Sequence, residues 1–350
     1  MVLVLCDGRE GGKESETHKR ARWGLEAAAS SRMPRLTRDR ASRTGAAMSA
    51  VSPSTSGRFA FPALIIGNLI LAVGPWMVRL ADVGPVASGF WRLALAIPFL
   101  ALFAWRQQRG QPAPSGALLA SLAIGGLFFA SDLAAWHVGI GMTKLANASL
   151  FGNASSFILV IYGFVLLRRL PRKVQALALA CAAAGTGLLM GSSYEMSPKN
   201  FTGDLFTLLA GLLYTGYLVV VDKARRTMAP MPVLAVATAS GAIPLLVFAN
   251  LLGQQVMPDD WTPLLILSFG SQVIGQGLLV YAVGYLSPVV VGLGLLAQPA
   301  AGALIGSLVY GERLSPADWA GAALIGVALV LIRLPERKAA LASIPPEDHL

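Results

Sequence analysis

Residues 288–309 read PVVVGLGLLAQPAAGALIGSLV, a stretch of 22 residues that contains no charged side chain. At a rise of 1.5 Å per residue, an α-helix of that length is about 33 Å long, which matches the hydrocarbon core of a bilayer. We therefore expect this stretch to cross a membrane as a helix. Charge returns directly after it, at Glu312 and Arg313.

Nine further apolar segments lie along the chain, separated by short breaks that contain Pro, Gly or charged residues. Each segment has about the length that a membrane-spanning helix needs. The pattern predicts an all-α polytopic membrane protein with ten transmembrane helices. The ten segments are 60–80, 84–105, 115–139, 146–167, 174–191, 204–222, 231–252, 262–285, 288–309 and 316–334.

The composition supports this class of protein. Of the 350 residues, 55% are hydrophobic and only 13% are charged, and the mean hydropathy is +0.62. A soluble protein carries about 25% charged residues. The two cysteines, Cys6 and Cys181, form no CxxC motif, so we predict no disulfide framework, no metal site and no cofactor.

The ends of the chain differ from the apolar region. Residues 1–59 are predicted to be a disordered basic tail, because 1–47 carries 10 Lys/Arg against 6 Asp/Glu and no long apolar period. Met48 is an alternative start, in which case the residues before it would be a gene-model extension. We expect two five-helix repeats, 60–191 and 202–334, and a cytoplasmic tail at 335–350.

The positive charges predict the orientation. Positively charged loops stay on the cytoplasmic side. With the N-terminus inside, the inner connections hold twelve Lys/Arg and the outer connections hold four. We therefore expect both termini to lie in the cytoplasm, with the protein in the cytoplasmic (inner) membrane. The net charge of +10 then reflects topology, and a nucleic-acid partner is not expected.

The two halves of the apolar region are similar to each other. A shift of 144 positions lays Trp136–Leu170 over Val280–Leu314 and brings Asp132 onto Gln276. Because each half has five segments, the second copy must enter the membrane from the opposite side. Inverted repeats of this kind are typical of secondary transporters, which bind substrate near the midplane between the repeats.

Several motifs of the second half carry a resemblance to a known family. They are Gly203-Asp204, Tyr285-Leu286-Ser287-Pro288, Leu296-Ala297-Gln298-Pro299 and Tyr310-Gly311-Glu312-Arg313-Leu314, and in the first half Phe90-Trp91-Arg92. In these motifs the chain resembles the EamA-type members of the drug/metabolite transporter superfamily. The resemblance covers about residues 60–334 and implies a ten-helix bundle that moves small organic metabolites. Two positions of the first half depart from the pattern, Ser155 in place of Pro and Arg168 in place of Glu.

Two charged residues lie well inside the predicted spans. Arg92 is 8 residues from the outer end of the second segment, and Asp132 is 7 residues from the outer end of the third. They therefore lie at the same depth, where charge is costly. One interpretation is a structural ion pair. The other is a substrate site, with Arg92 binding a carboxylate and Asp132 binding an amine or a coupling proton.

Two ring side chains follow Asp132 on the third segment. Trp136 lies one turn beyond it on the same helix face, so it either lines the same site or anchors the helix at the lipid interface. His137 is rotated by about 140° from Asp132, which disfavours a proton relay between the two.

The remaining candidates are neutral and polar. Gln272 and Gln276 lie one turn apart and either line a cavity or join helices. Gln298 and Asn153 occupy related positions in the ninth and fourth segments, next to a predicted helix interruption. Spacings of small residues, such as Gly187/Gly191 and Gly302/Gly306, are predicted to let helices approach closely. The weaker binding candidates are Asn68, Tyr214 and Tyr217.

These features favour a secondary transporter for a small amphipathic or zwitterionic metabolite. Export is implied by the resemblance alone, and protons are a candidate coupling ion. The chain has no GxxxxGK[ST] loop, no HExxH and no GxSxG motif, so neither an ATPase nor an intramembrane enzyme is predicted. The alternative is a membrane scaffold or sensor that transports nothing. The expected partners are the metabolite and the lipid bilayer.

Overall fold

The structure, a computed structural model, describes residues 55–143, 151–168, 170–191, 198, 200–310 and 315–333. The chain divides after Ser54, so these residues all belong to its second unit, Thr55–Leu350. They contain helices and connecting turns but no β-strand. The helices are a 3-10 turn at Thr55–Phe59, then α1 Ala60–Leu71, α2 Gly74–Leu80, α3 Pro85–Ala94, α4 Ile97–Gln108, α5 Gly116–Met142, α6 Ala154–Leu167, α7 Lys173–Gly191, α8 Phe201–Arg225, α9 Pro230–Leu251, α10 Thr262–Ile266, a π-helix Leu267–Gly275, α11 Gln276–Val283, α12 Pro288–Leu295, α13 Ala297–Tyr310 and α14 Pro316–Leu331.

Three of the apolar segments are divided by proline. Pro75 follows the break between α1 and α2, Pro98 follows the break between α3 and α4, and Pro299 follows the break between α12 and α13. Proline lacks the backbone N–H and its ring collides with the carbonyl one turn earlier, so the helical hydrogen bonds are interrupted just before it. The chain also breaks before α6, at Asn153, although Ser155 stands there in place of proline.

The eighth segment contains a π-helix of nine residues, Leu267–Gly275, between α10 and α11. Its repeat mate, the third segment, is the single unbroken helix α5 of 27 residues. The two repeats therefore differ in backbone geometry at this place. Such π-helical stretches are rare and occur frequently at functional sites.

Not all ten predicted segments reach spanning length in the described residues. Seven helical stretches are long and apolar enough to cross a membrane: Gly57–Leu80, Pro85–Gln108, Gly116–Met142, Phe201–Ala224, Pro230–Leu251, Thr262–Val283 and Pro288–Ile305. Three shorter apolar helices are Ala154–Leu166, Lys173–Leu189 and Pro316–Leu331. The protein is thus a multi-pass helical membrane protein, while ten spans remain a prediction.

The outer faces of the bundle are apolar, as contact with lipid requires. On α9, for example, Ile243 is 71% exposed and Leu251 is 76% exposed. A soluble protein rarely leaves contiguous apolar patches uncovered. Inside the bundle, α5 packs against α8 and α9, α6 against α12, α7 against α14, and α1 against the π-helix and α11.

The closest helix contacts occur at glycines other than those predicted from small-residue spacing. Gly126 of α5 and Gly241 of α9 face each other, and a Cβ atom on Gly126 would lie 2.3 Å from the carbonyl oxygen of Ala237. Gly187 and Gly302, in contrast, have nothing within 4 Å of a Cβ position. The prediction of close contact at Gly187 and Gly302 was therefore wrong, because open space rather than a neighbouring helix lies beside each of them.

Candidate functional site

A cavity of about 1340 Å³ lies among the helices of both repeats, nearer to one end of the bundle than to the other. Its wall contains the break between α1 and α2, the C-terminal half of α5, the start of α6, the break between α12 and α13, and the start of α14. We call the end of the bundle that carries the connection 81–84, the connection 252–261 and the start of α14 the cavity end. Seven of the ten predicted residues line the cavity: Arg92, Asp132, Trp136, Asn153, Tyr214, Gln276 and Gln298.

Arg92 is held from behind by a buried amide. Its Nε donates to Oε1 of Gln272 at 3.1 Å, and Nε2 of Gln272 donates to Oγ1 of Thr238 at 2.8 Å. Gln272 and Thr238 are both fully buried. Gln272 therefore does not line the cavity but joins α3, α9 and the π-helix. The guanidinium also lies 5.7 Å from the centre of the Phe129 ring.

Asp132 lines the cavity on α5 without a close partner. It forms neither a salt bridge with Arg92 nor a hydrogen bond with another residue in the described part of the chain, although the two charges are near enough to interact electrostatically. The direct structural ion pair considered from the sequence is thus not formed in this conformation. Trp136 lines the cavity one turn further along α5, on the side predicted for it.

Aromatic rings form part of the wall beside the two charges. Phe129 stacks on Tyr217 with ring centres 4.8 Å apart, and Tyr214 lies 5.8 Å from Tyr217. Tyr217 is fully buried behind the other two rings and does not reach the cavity, in contrast to Tyr214. Sequence reasoning did not single out Phe129, because an aromatic residue on an apolar helix gives no signal of its own.

The polar groups of the second repeat divide between wall and support. Gln276 lines the cavity, and its Oε1 is buried without a hydrogen-bond partner among the described residues. Gln298 lines the cavity next to Pro299 and donates from Nε2 to Oδ1 of Asn68 at 2.7 Å. Asn68 is fully buried and donates to the carbonyl of Leu64, so it supports Gln298 from α1.

His137 lies in the cavity wall, packed near Gly89 of α3. Its Nδ1 is 2.6 Å from the carbonyl oxygen of Leu133, which can only accept, so Nδ1 carries a proton. In the neutral ring Nε2 is then an acceptor, and it has no partner among the described residues. Ser156 also borders the cavity, its hydroxyl is buried without a hydrogen-bond partner among the described residues, and no sequence signal identified it.

The N-terminus of α3 is fastened to the connection 252–261 at the cavity end. Oε1 of Gln254 accepts hydrogen bonds from the backbone N–H groups of Val86 and Ala87, at 2.9 and 3.1 Å. Nε1 of Trp91 donates to the carbonyl of Val256 at 2.6 Å. These contacts join a helix of the first repeat to a loop of the second.

Asp82 adds an electrostatic contact to the same connection. Its Oδ2 accepts from the backbone N–H groups of Asp259 and Asp260, at 2.6 and 3.1 Å, and these bonds hold the pKa of the Asp82 carboxyl below its usual 3.8. A lowered folded-state pKa means that the contribution is complete above the unfolded pKa and is lost as the pH falls through the folded value.

We therefore expect the Asp82 contact to be insensitive to pH above about 4 and to weaken on acidification below it. At pH 7, Asp82→Ala should make the amides of Asp259 and Asp260 exchange with solvent about tenfold faster, since charge-assisted hydrogen bonds are lost. Hydrogen exchange by mass spectrometry measures this. The matched control is Asp222→Ala, which removes a carboxylate bound to Arg226 at 3.0 Å at the other end. Equal exchange in wild type and Asp82→Ala would contradict the assignment.

At the opposite end of the bundle, Arg225 joins α8 to α11. Its Nε donates to the carbonyl of Val280 at 3.0 Å, a terminal nitrogen donates to the carbonyl of Met228, and the guanidinium lies 5.7 Å from the Tyr285 ring centre. Burial lowers the pKa of Arg225. A Cβ atom at position 284 would lie 2.4 Å from this guanidinium, which explains Gly284 there.

The fold and the cavity define the class: a multi-pass helical membrane protein with a polar, aromatic-lined cavity between two repeats. The EamA-like transporter family matches residues 58–191 and 201–334. The chain belongs to this family, as its motifs predicted. The family membership indicates a transporter rather than an enzyme.

One relative and one solved structure are similar to this chain. An "Uncharacterized transporter" of Archaeoglobus fulgidus is 28% identical over 178 residues, which is 50% of this chain and 61% of that protein. The match thus spans about three fifths of the relative's length. A solved structure titled "Crystal structure of protein" aligns with a TM-score of 0.65 at 18% identity, covering 80% of this chain and 98% of the other. At that identity it supports the fold alone.

Proposed function

We propose that the protein is a secondary transporter that exports a small amphipathic or zwitterionic organic metabolite across the cytoplasmic membrane by alternating access. The observation that carries this proposal is the cavity itself, which has Arg92 and Asp132 in its wall without a direct salt bridge between them. Two opposite charges kept apart in a membrane are costly, and a solute with both signs of charge would satisfy them together.

In this proposal, different residues of the cavity wall bind different parts of the solute. Arg92 offers N–H donors to a carboxylate or similar oxyanion, and Asp132 offers acceptors to an amine or takes a coupling proton. Two further acceptors, Oε1 of Gln276 and Nε2 of His137, belong to residues of the cavity wall, and both are buried without a partner among the described residues. Trp136 and Tyr214 present ring surface to the apolar part of the solute.

In the proposed arrangement the ten segments form two inverted five-helix repeats, 60–191 and 202–334, with both termini in the cytoplasm. The cavity end is then the outer end, so the cavity faces outward. Inward opening would require Arg225 to release the carbonyl of Val280 and the ring of Tyr285. The contact between Asp82 and the connection 252–261 lies at the outer end in this arrangement.

Reporter fusions test this orientation. We expect a fusion after Asp260 to report the outer side of the membrane, and fusions after Arg109, Arg172 and Leu350 to report the cytoplasmic side. The measurement is the activity of paired reporters, one active only outside and one only inside. One fusion on the wrong side would break the inverted-repeat arrangement.

Solute flux tests the function. Purified protein in proteoliposomes should exchange radiolabelled zwitterions, such as amino acids, across the bilayer, and an imposed proton gradient should change the rate if protons are coupled. A scaffold or sensor would give no flux above that of protein-free vesicles. Conversion of a solute during the assay would indicate an enzyme instead.

A further inference from the structure

Behind the cavity wall lies a buried pair of side chains that binds Arg92, and neither member reaches the cavity. Gln272 and Thr238 are both fully buried. Thr238 belongs to α9, Gln272 to the π-helix and Arg92 to α3, so two hydrogen bonds of 2.8 and 3.1 Å connect three helices. The two bonds run from Thr238 through one amide to the charged group in the wall.

The direction of these hydrogen bonds is fixed by chemistry. A guanidinium can only donate, so Oε1 of Gln272 must face Arg92, and Nε2 is left to donate to the Thr238 hydroxyl. The guanidinium therefore decides which way the amide points, and the Thr238 hydroxyl holds the amide there by accepting from Nε2. Without the hydroxyl, the buried Nε2 would lose this partner and Gln272 would be held less firmly against Arg92.

The anchoring also determines which part of Arg92 is available. Nε is taken by Gln272, and Phe129 lies 5.7 Å from the guanidinium carbon. Arg92 makes no other hydrogen bond within the described ranges. The two terminal nitrogens are thus left for the cavity, and together they match the two oxygens of a planar oxyanion.

The absence of charge on Gln272 is as important as the shape of its side chain. A carboxylate in the same place would form an ion pair with Arg92 and compete with any anion in the cavity. An amide holds the guanidinium in position but leaves its positive charge for a ligand.

We propose that Gln272 and Thr238 are positioning residues, which hold Arg92 with its two terminal nitrogens toward the cavity for an oxyanion of the solute. The oxyanion part of this inference rests on the proposed function. The anchoring of Arg92 by Gln272 and Thr238 does not depend on the proposed function, and it can be measured without any solute.

The first measurement follows the Nε–H group of Arg92 by NMR in protein labelled with arginine that carries 15N at Nε. Arg92→Lys identifies the signal by its loss. We expect slow exchange with solvent in wild type and in Thr238→Ser, which keeps the hydroxyl. Thr238→Val has nearly the same shape but no hydroxyl, and exchange should be at least about tenfold faster. An Arg92 signal that exchanges as fast as that of exposed Arg109, or equal rates in the Ser and Val variants, would overturn the anchoring.

The second measurement compares binding of benzoate with its neutral analogue benzamide by calorimetry. Gln272→Glu should lower benzoate affinity by about 100-fold, leave benzamide unchanged and keep or raise the melting temperature, since the new carboxylate pairs with Arg92. Thr238→Val should weaken benzoate by about tenfold and Thr238→Ser by less than about twofold. Unchanged benzoate binding in Gln272→Glu would refute the role of the neutral amide. If wild type binds no benzoate although the NMR result holds, the anchoring stands and the proposed oxyanion contact fails.

Discussion

Asp132→Asn is expected to lower solute flux by at least about 100-fold while the protein remains folded. The carboxylate lines the cavity and forms no salt bridge with Arg92, so its loss breaks no direct contact in the described structure. The amide keeps the shape of the side chain but loses the negative charge. Flux in proteoliposomes and the melting temperature in detergent, measured on the same preparation, check the two halves of the prediction.

Three further variants separate a structural role from a binding role. Arg92→Ala and Asp132→Ala each leave one charge alone inside the membrane, whereas Arg92→Met with Asp132→Leu removes both. We expect the double variant to be stable but inactive. A stable and fully active double variant would remove both residues from the site.

Gly126→Val is expected to destabilise the protein by about 3 kcal/mol or more, the largest stability effect that the packing predicts. A Cβ atom at position 126 would lie 2.3 Å from the backbone oxygen of Ala237 and 2.0 Å from Oγ of Ser240. The backbone of α9 cannot yield as a side chain could, so α5 and α9 would have to separate. The midpoint of unfolding in detergent titrations measures the loss.

Gly187→Val is the matched control for this prediction. It introduces the same side chain near the C-terminal end of α7, at a position with nothing within 4 Å of the added Cβ. We expect a change below about 1 kcal/mol, which is the range of helix propensity alone. Equal destabilisation by the two substitutions would show that the contact between α5 and α9 is not what limits stability.

The helical framework was predictable because its signals are local. The apolar segments and the prolines appear in the sequence, and Pro75, Pro98 and Pro299 each follow a helix break in the structure. The π-helix at Leu267–Gly275 has no such signal. It contains no proline. Its wider pattern of backbone hydrogen bonds depends on how this stretch packs against the neighbouring helices.

The contents of the cavity wall were partly predictable for the same reason. A charge or amide inside an apolar helix is conspicuous, so Arg92, Asp132 and Gln276 could be selected from the sequence alone. Whether such a group faces a cavity or another helix depends on the rotation of each helix in the bundle. In the structure, this rotation places Gln272 and Tyr217 behind the cavity wall. It also places Gly126, rather than Gly187, against a neighbouring helix.

Accessibility of the cavity from the two sides of the membrane tests alternating access most directly. Gly302→Cys suits this purpose, because Gly302 lines the cavity, is exposed and has nothing within 4 Å of an added Cβ atom. The variant is made in protein whose Cys6 and Cys181 are replaced by Ala, and a charged, impermeant thiol reagent is added to one side of oriented vesicles. We predict labelling from the outside and also from the inside, at a rate that rises when the vesicles carry transported solute. Labelling from only one side in vesicles that show solute flux would contradict the account.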